Sequence, residues 1–294
     1  MVKTREILII ITFFSLWLTN YFEAGSQSIL AFSLLFSVGL LHGSNDLQLL
    51  GRTFFKKKKT TFYTRLALYL AVVFAAFSLF FTVPLLALVL FIGVSGYHFG
   101  EQHWDEYLGR SPLNKLFFAA YGLGILFLLF FLNPVETSQV IEQLTQFAVP
   151  KMWYAYGLLV AAGLFAIILP YYIGAKMISP PKAVQELFLL VVFAVLFRWA
   201  SLVWAFTIYF IFWHSVPSIK EQVAYLYGKV NKQSVKKYLR GAIWVWLASI
   251  VGLVVFFKLM EGGNQSFLTI FFSFLGAITF AHTVIIARMF DQQE

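Results

Sequence analysis

The sequence predicts an all-α integral membrane protein: one polytopic helix bundle spanning residues 1–294, with about ten transmembrane helices and both termini cytoplasmic. Three observations predict it. Of the 294 residues, 60% are hydrophobic and only 12% are charged, with a mean hydropathy of +0.80. A soluble domain carries roughly 25% charged residues, so this chain has about half the usual supply for a water-facing surface. Apolar stretches long enough to cross a bilayer recur along the chain, and the basic residues gather between alternate ones. An ordinary soluble enzyme, a disordered chain and a nucleic-acid binder are excluded, despite a net charge of +9. The absence of cysteine excludes disulfides, thiolate metal sites and iron–sulfur clusters.

A helix crossing about 30 Å of hydrocarbon needs about 20 mostly apolar residues. Ten stretches qualify: 6–24, 28–50, 61–82, 84–105, 113–132, 152–173, 183–199, 202–222, 240–260 and 266–288. The seventh and eighth are separated by little more than Arg198, which leaves a re-entrant pair as an alternative to two crossings. Starting inside and alternating through ten spans places 19 of the 22 basic residues on the cytoplasmic side, leaving out Lys151, Arg198 and Lys258. The positive charge is therefore read as topology and contact with anionic lipid. Lys56–Lys59, a nucleic-acid patch in isolation, reads beside two apolar spans as a stop-transfer signal, so no nucleic-acid partner is expected. No small-residue cleavage site follows the first apolar run, which reads as a retained span. The expected location is the cell (inner or plasma) membrane, with the lipid bilayer as the first partner.

An ionisable side chain in hydrocarbon is a functional-site hypothesis by default. The chain has five histidines: His42 in the second span, His98 and His103 at the end of the fourth, His214 in the eighth and His282 in the tenth. All these spans are even-numbered and run from outside to inside. The histidines His42, His98, His214 and His282 precede the next cytoplasmic basic residue by 10, 12, 6 and 6 positions. At 1.5 Å per residue that spread is about 9 Å of depth, which tilt can absorb. A lone intramembrane histidine is often interhelical hydrogen-bond glue. Four at similar depth on co-oriented helices fit a shared metal site better, and imidazole suits iron, copper, zinc and nickel alike.

Asp46, four residues after His42, is placed to orient the ring of His42 or a neighbour, and Glu101, three after His98, to do likewise or to bind the metal directly. His103, five residues after His98, is expected at the interface. Gly39, Gly43, Gly93, Gly96 and Gly100 either pack helices closely or make room for a ligand. Of the 35 Phe, 14 Tyr and 8 Trp, most serve lipid contact and interfacial belts. Tyr97, Trp204, Tyr209, Phe212 and Trp213, close to the histidines, are candidates to line an apolar tunnel for a long conjugated hydrocarbon.

These segments resemble the Brp/Blh family of membrane-bound β-carotene 15,15′-dioxygenases. The resemblance is carried by Leu41-His42-Gly43-Ser44-Asn45-Asp46, by Tyr97-His98-Phe99-Gly100-Glu101, by Trp213-His214-Ser215 with Pro217, and by His282 before a tail ending Phe290-Asp291. It implies an Fe(II) centre held by His42, His98, His214 and His282, and O₂-dependent cleavage of β-carotene into two molecules of retinal. It also implies a functional link to a retinal-binding rhodopsin. The chain departs from the family pattern at Ser218, where a second histidine often follows four residues after His214, and at Ala281, where proline is expected. Serine is a poor iron ligand, so His282 or Glu101 would complete the set. Two alternatives stand beside the dioxygenase: a non-catalytic carotenoid carrier, and another histidine-ligated membrane redox protein.

Overall fold

A computed structural model describes residues 2–55, 61–260 and 267–292. The Lys56–Lys59 run lies outside the described residues. The helices in chain order are α1 (Val2–Thr19), α2 (Ala24–Leu34), α3 (Asp46–Thr53), α4 (Phe62–Thr82), α5 (Pro84–Trp104), α6 (Pro112–Leu132) and α7 (Pro134–Thr145). There follow α8 (Met152–Gly174), α9 (Pro180–Trp199), α10 (Leu202–Ile208), α11 (Val216–Tyr227), α12 (Lys232–Met260) and α13 (Phe267–Phe290). Among the described residues, two stretches are π-helical: Leu35–Gly39, which continues α2, and Tyr209–Ser215, which joins α10 to α11.

Local chemistry sets the ends. Proline opens α5, α6, α7 and α9, where its missing N–H is one that a helix leaves unpaired anyway. Thr61 and Ser111 cap α4 and α6 by accepting from Thr64 N and Asn114 N, both at 3.2 Å. Gly228, at φ 78°, ends α11 in the left-handed region that glycine enters at no steric cost.

Among the described residues, eight helical stretches are long and apolar enough to cross a membrane: 62–82, 84–104, 112–132, 152–174, 180–199, 202–227, 232–258 and 267–290. They match the third to tenth of the expected spans. The seventh and eighth are each long enough for a full crossing, and the break between them falls at Ala200–Ser201. The expected second span is not one helix. It runs through α2 and the first π turn, breaks at 42–45, and resumes as α3. Helix α7 is an addition that hydropathy did not show, because its sequence PVETSQVIEQLT is polar as well as apolar.

The chain divides into two compact units. The first comprises Met1–Leu35, Ser95–Gln139 and Val149–Ser215; the second comprises Phe36–Val94, Val140–Ala148 and Val216–Glu294. In the first, α6 packs on α8, α9 and α10, with Phe117 stacked on Phe165 at 5.2 Å between centroids. Here α5 and α6 approach backbone to backbone: a Cβ at Gly100 would lie 1.8 Å from Phe118 O, and one at Gly122 would lie 1.9 Å from Gly96 O. Gly96 and Gly100 therefore serve helix packing, the small-residue spacing that lets two backbones touch.

In the second unit, α13 packs on α3 and α4. Its core gathers Leu49, Val223, Leu226, Tyr238, Ile285, Ile286, Met289 and Phe290. Helices α4 and α12 expose long apolar faces, including Leu68, Val72 and Phe74 on one and Trp244, Val251 and Val255 on the other. Such faces are stable in lipid and costly in water.

Candidate metal centre

In the second unit, His42 sits at the break between the first π turn and α3. Irregular backbone at membrane depth is tolerated only where protein satisfies its polar groups, since an unpaired one costs several kcal/mol. Here protein groups meet several of them. The His42 carbonyl accepts from Gln222 Nε2 at 2.9 Å and from the Tyr238 hydroxyl at 3.2 Å. The single Tyr238 hydroxyl hydrogen is shared with Gln222 Oε1 at 2.8 Å, and Asn45 Nδ2 donates to Tyr238 O at 3.1 Å. Trp246 Nε1 donates to Phe36 O within the π turn at 2.7 Å. The His42 ring is turned so that Nδ1 meets the Gly39 carbonyl, and a hydrogen there leaves Nε2 as the acceptor or ligand atom.

His282, on α13, lies edge-on to His42 with ring centroids 4.7 Å apart. Its Nδ1 is 2.8 Å from Asp46 Oδ1, while Tyr69 on α4 donates its hydroxyl to Asp46 Oδ2 at 3.2 Å. A carboxylate only accepts, so Nδ1 carries a hydrogen, and in the neutral ring Nε2 is then the nitrogen with the lone pair that a metal would take. Of the two rings expected for Asp46, His42 or a neighbour, it meets the neighbour, because the break at 42–45 takes His42 and Asp46 off one helical face.

In the first unit, His98 on α5 and His214 in the second π segment lie edge-on, with centroids 4.9 Å apart. Gln102, one turn beyond His98, donates to the His214 carbonyl at 3.1 Å and so ties the two histidine-bearing segments together. Phe99 and Phe210 pack against the His214 ring at 4.5 and 5.4 Å. Glu101 accepts from the Tyr97 hydroxyl at 2.8 Å and pairs with Arg110 at 3.2 Å.

His103 belongs to a separate network. Its Nε2 lies 2.7 Å from Glu186 Oε2, a carboxylate with no exposed surface. Glu186 also pairs with Arg5 at 2.7 Å and Lys182 at 2.6 Å, and accepts from the Tyr121 hydroxyl at 3.0 Å. Of the tunnel candidates, Trp204, Tyr209 and Trp213 are buried while Tyr97 and Phe212 are half-buried. Tyr209 packs among Phe99, Phe193 and Phe197. Ser218, in the second unit, accepts from Gln222 Nε2 at 3.0 Å.

The four histidines are all buried. The ligand atoms of His42 and His282 lie within 4.8 Å of one another, close to the spacing that two metal–nitrogen bonds of about 2.1 Å would set. Buried imidazoles, one of them (His282) backed by a carboxylate, fit a histidine-held transition metal, and their chemistry alone does not choose among iron, copper, zinc and nickel. Sequence reading missed Tyr69, Gln102, Gln222 and Tyr238, none of which carries a local signal.

Apolar helices and buried imidazole pairs together define a multi-pass membrane protein able to hold a metal in its helical interior. The family model for beta-carotene 15,15′-dioxygenase matches residues 33–290, and the chain belongs to that family. Neither a curated protein nor a solved structure matches the chain significantly.

Proposed function

We propose that this protein cleaves the central 15,15′ double bond of β-carotene with O₂, yielding two molecules of retinal, at an Fe(II) centre ligated by His42, His98, His214 and His282. The family match carries the reading, because its 33–290 span includes all four histidine segments. The stoichiometry is self-contained: one C=C and one O₂ become two C=O groups, so no reductant is consumed. Fe(II), when bound, supplies the activation of O₂. Every other task falls to the chain. Asp46 and Tyr69 aim His282, Gln222 and Tyr238 hold His42, and Gln102 fixes the backbone of His214. Phe99 and Phe210 wall the His214 ring with hydrocarbon and keep water from it, with Tyr209 packed behind Phe99. Tyr97, Trp204, Tyr209, Phe212 and Trp213 line the carotenoid path in this reading, and regioselectivity comes from its length and shape. The indole N–H groups of Trp204 and Trp213 are already bonded to Thr19 and Thr12, which suits the two rings to an apolar substrate.

Ten spans with both termini cytoplasmic, residence in the cell membrane, and delivery of retinal to a rhodopsin complete the proposal. It is tested in bacteria that accumulate β-carotene, by extraction and chromatography. Two retinal formed per β-carotene lost supports central cleavage, and alanine at His42 or His98 should abolish both product and bound iron. Cells that stay orange around folded, iron-supplied protein would overturn the reading and favour the carotenoid carrier, for which Ser218 in place of a histidine is the specific observation.

A further inference from the structure

Helix α1 precedes the 33–290 segment matched by the family model. It is nevertheless bonded into the first unit at three heights. Arg5 pairs with Glu186 at 2.7 Å, Thr12 Oγ1 accepts from Trp213 Nε1 at 2.9 Å, and Thr19 Oγ1 accepts from Trp204 Nε1 at 3.1 Å. Residues 5, 12 and 19 are seven apart, so they share one helix face at steps of about 10.5 Å. Leu8, Thr12 and Ser15 on that face are buried, while Ile7, Ile10, Phe14 and Trp17 point outward. The helix thus turns its hydroxyls and Leu8 inward and Ile7, Ile10, Phe14 and Trp17 outward.

The middle bond differs from the other two in what it holds. Trp213 immediately precedes His214, and both lie in the π segment Tyr209–Ser215. A π turn carries one residue more than an α turn, and such turns concentrate at functional sites. Losing that residue to an α turn would swing every following side chain by about 100°. The direction of His214 therefore depends on whatever holds the widened turn. Thr12 is suited to this: its hydroxyl donates to Leu8 O at 2.8 Å, which leaves a lone pair aimed at the indole. Phe193 meets the same indole edge-on at 5.3 Å.

We propose that α1 is a strut that sets the register of His214, with Thr12 as a positioning residue acting through Trp213. The inference rests on reading His214 as a metal ligand, and its test separates the two ideas. The full chain in lipid nanodiscs, labelled with ¹³C at the histidine Cε1 alone, should give five ring signals, since it holds five histidines. Each is assigned by its loss in a His→Gln variant.

Thr12→Val, which keeps shape and removes the acceptor, should displace the His214 signal and leave His42 and His282 in place. Thr12→Ser should restore it. Thr19→Val, which breaks the equivalent bond to Trp204, should leave all five signals unmoved. Cobalt(II) titration of the metal-free protein should show Thr12→Val binding about 10-fold more weakly than wild type, the usual loss when a group supporting a ligand is removed. A His214 signal unmoved in Thr12→Val, or moved equally in Thr19→Val, overturns the strut. A wild type that takes up neither cobalt nor iron overturns the metal reading, while the ring signals still decide the strut. If Thr12→Val does not fold, Trp213→Phe removes the same bond from its other end and is judged by the same signals.

Discussion

Asp46 Oδ1 lies 2.8 Å from His282 Nδ1, although the two residues are 236 positions apart in the chain. The contact fixes which ring nitrogen of His282 keeps a lone pair, and Tyr69 fixes the carboxylate in turn. Asp46→Asn keeps the size but can present its NH₂ group to Nδ1, which permits the other tautomer. It should weaken metal binding by about 10- to 100-fold. Tyr69→Phe should have a smaller effect in the same direction. Cobalt or iron titration checks both, and unchanged affinity in Asp46→Asn would remove His282 from the ligand set.

Gly100 and Gly93 lie on the same helix, yet alanine should act oppositely at the two. At Gly100 the added Cβ would meet the Phe118 carbonyl at 1.8 Å, with no side chain to move aside. Helix α5 must then shift from α6, at a cost of about 3 kcal/mol and with His98 carried along. At Gly93 nothing lies within 4 Å, so alanine should be neutral or stabilising by up to about 1 kcal/mol. Thermal unfolding in detergent checks stability, and metal titration checks the displacement of His98.

His103 separates structural from metal-binding histidines. It lies on α5 with His98, but its ring serves Glu186 rather than another imidazole. His103→Ala leaves a buried carboxylate with one partner fewer while Arg5, Lys182 and Tyr121 remain, at a cost of about 1–3 kcal/mol. Stability should fall while metal affinity holds. His98→Ala should show the reverse pattern, and a His103 variant that folds normally yet binds no metal would contradict the assignment.

Much of this was legible in the sequence for physical reasons. Apolar runs of about 20 residues are dictated by bilayer thickness, so eight expected spans coincide with eight helices to within a few residues, apart from the N-terminal ends of the seventh and ninth and the C-terminal end of the eighth. The intramembrane histidines stood out because polarity there is expensive. The two π segments were not legible, since an added residue within LFSVG or YFIFWHS leaves hydropathy unchanged. The break after the first of them takes Asp46 off the face of His42, so of the two rings expected for it, His42 or a neighbour, it meets the neighbour His282. The ties from Arg5 to Glu186 and from Thr12 to Trp213 span 181 and 201 positions, beyond any local rule. Arg5 and Lys182 were visible only as topology charges, whereas both neutralise Glu186.

Ser218 carries the last prediction, because it marks where the chain departs from the family pattern. Its hydroxyl accepts from Gln222 Nε2, the same donor that reaches the His42 carbonyl, so the residue sits in the polar net supporting His42. A serine acting only in that net can be lost at modest cost, because Gln222 keeps both the His42 carbonyl and Tyr238 as partners. Ser218→Ala should therefore lower stability by about 1 kcal/mol and leave metal affinity within about 2-fold of wild type. Ser218→His places a bulky ring among Gln222, Tyr238 and the His42 carbonyl. It should weaken metal binding, even though it restores the residue type the family often carries there. Parallel metal titrations of the two variants decide the matter. Tighter binding in Ser218→His would show that the net yields and that the fourth ligand position is still open to a histidine on α11.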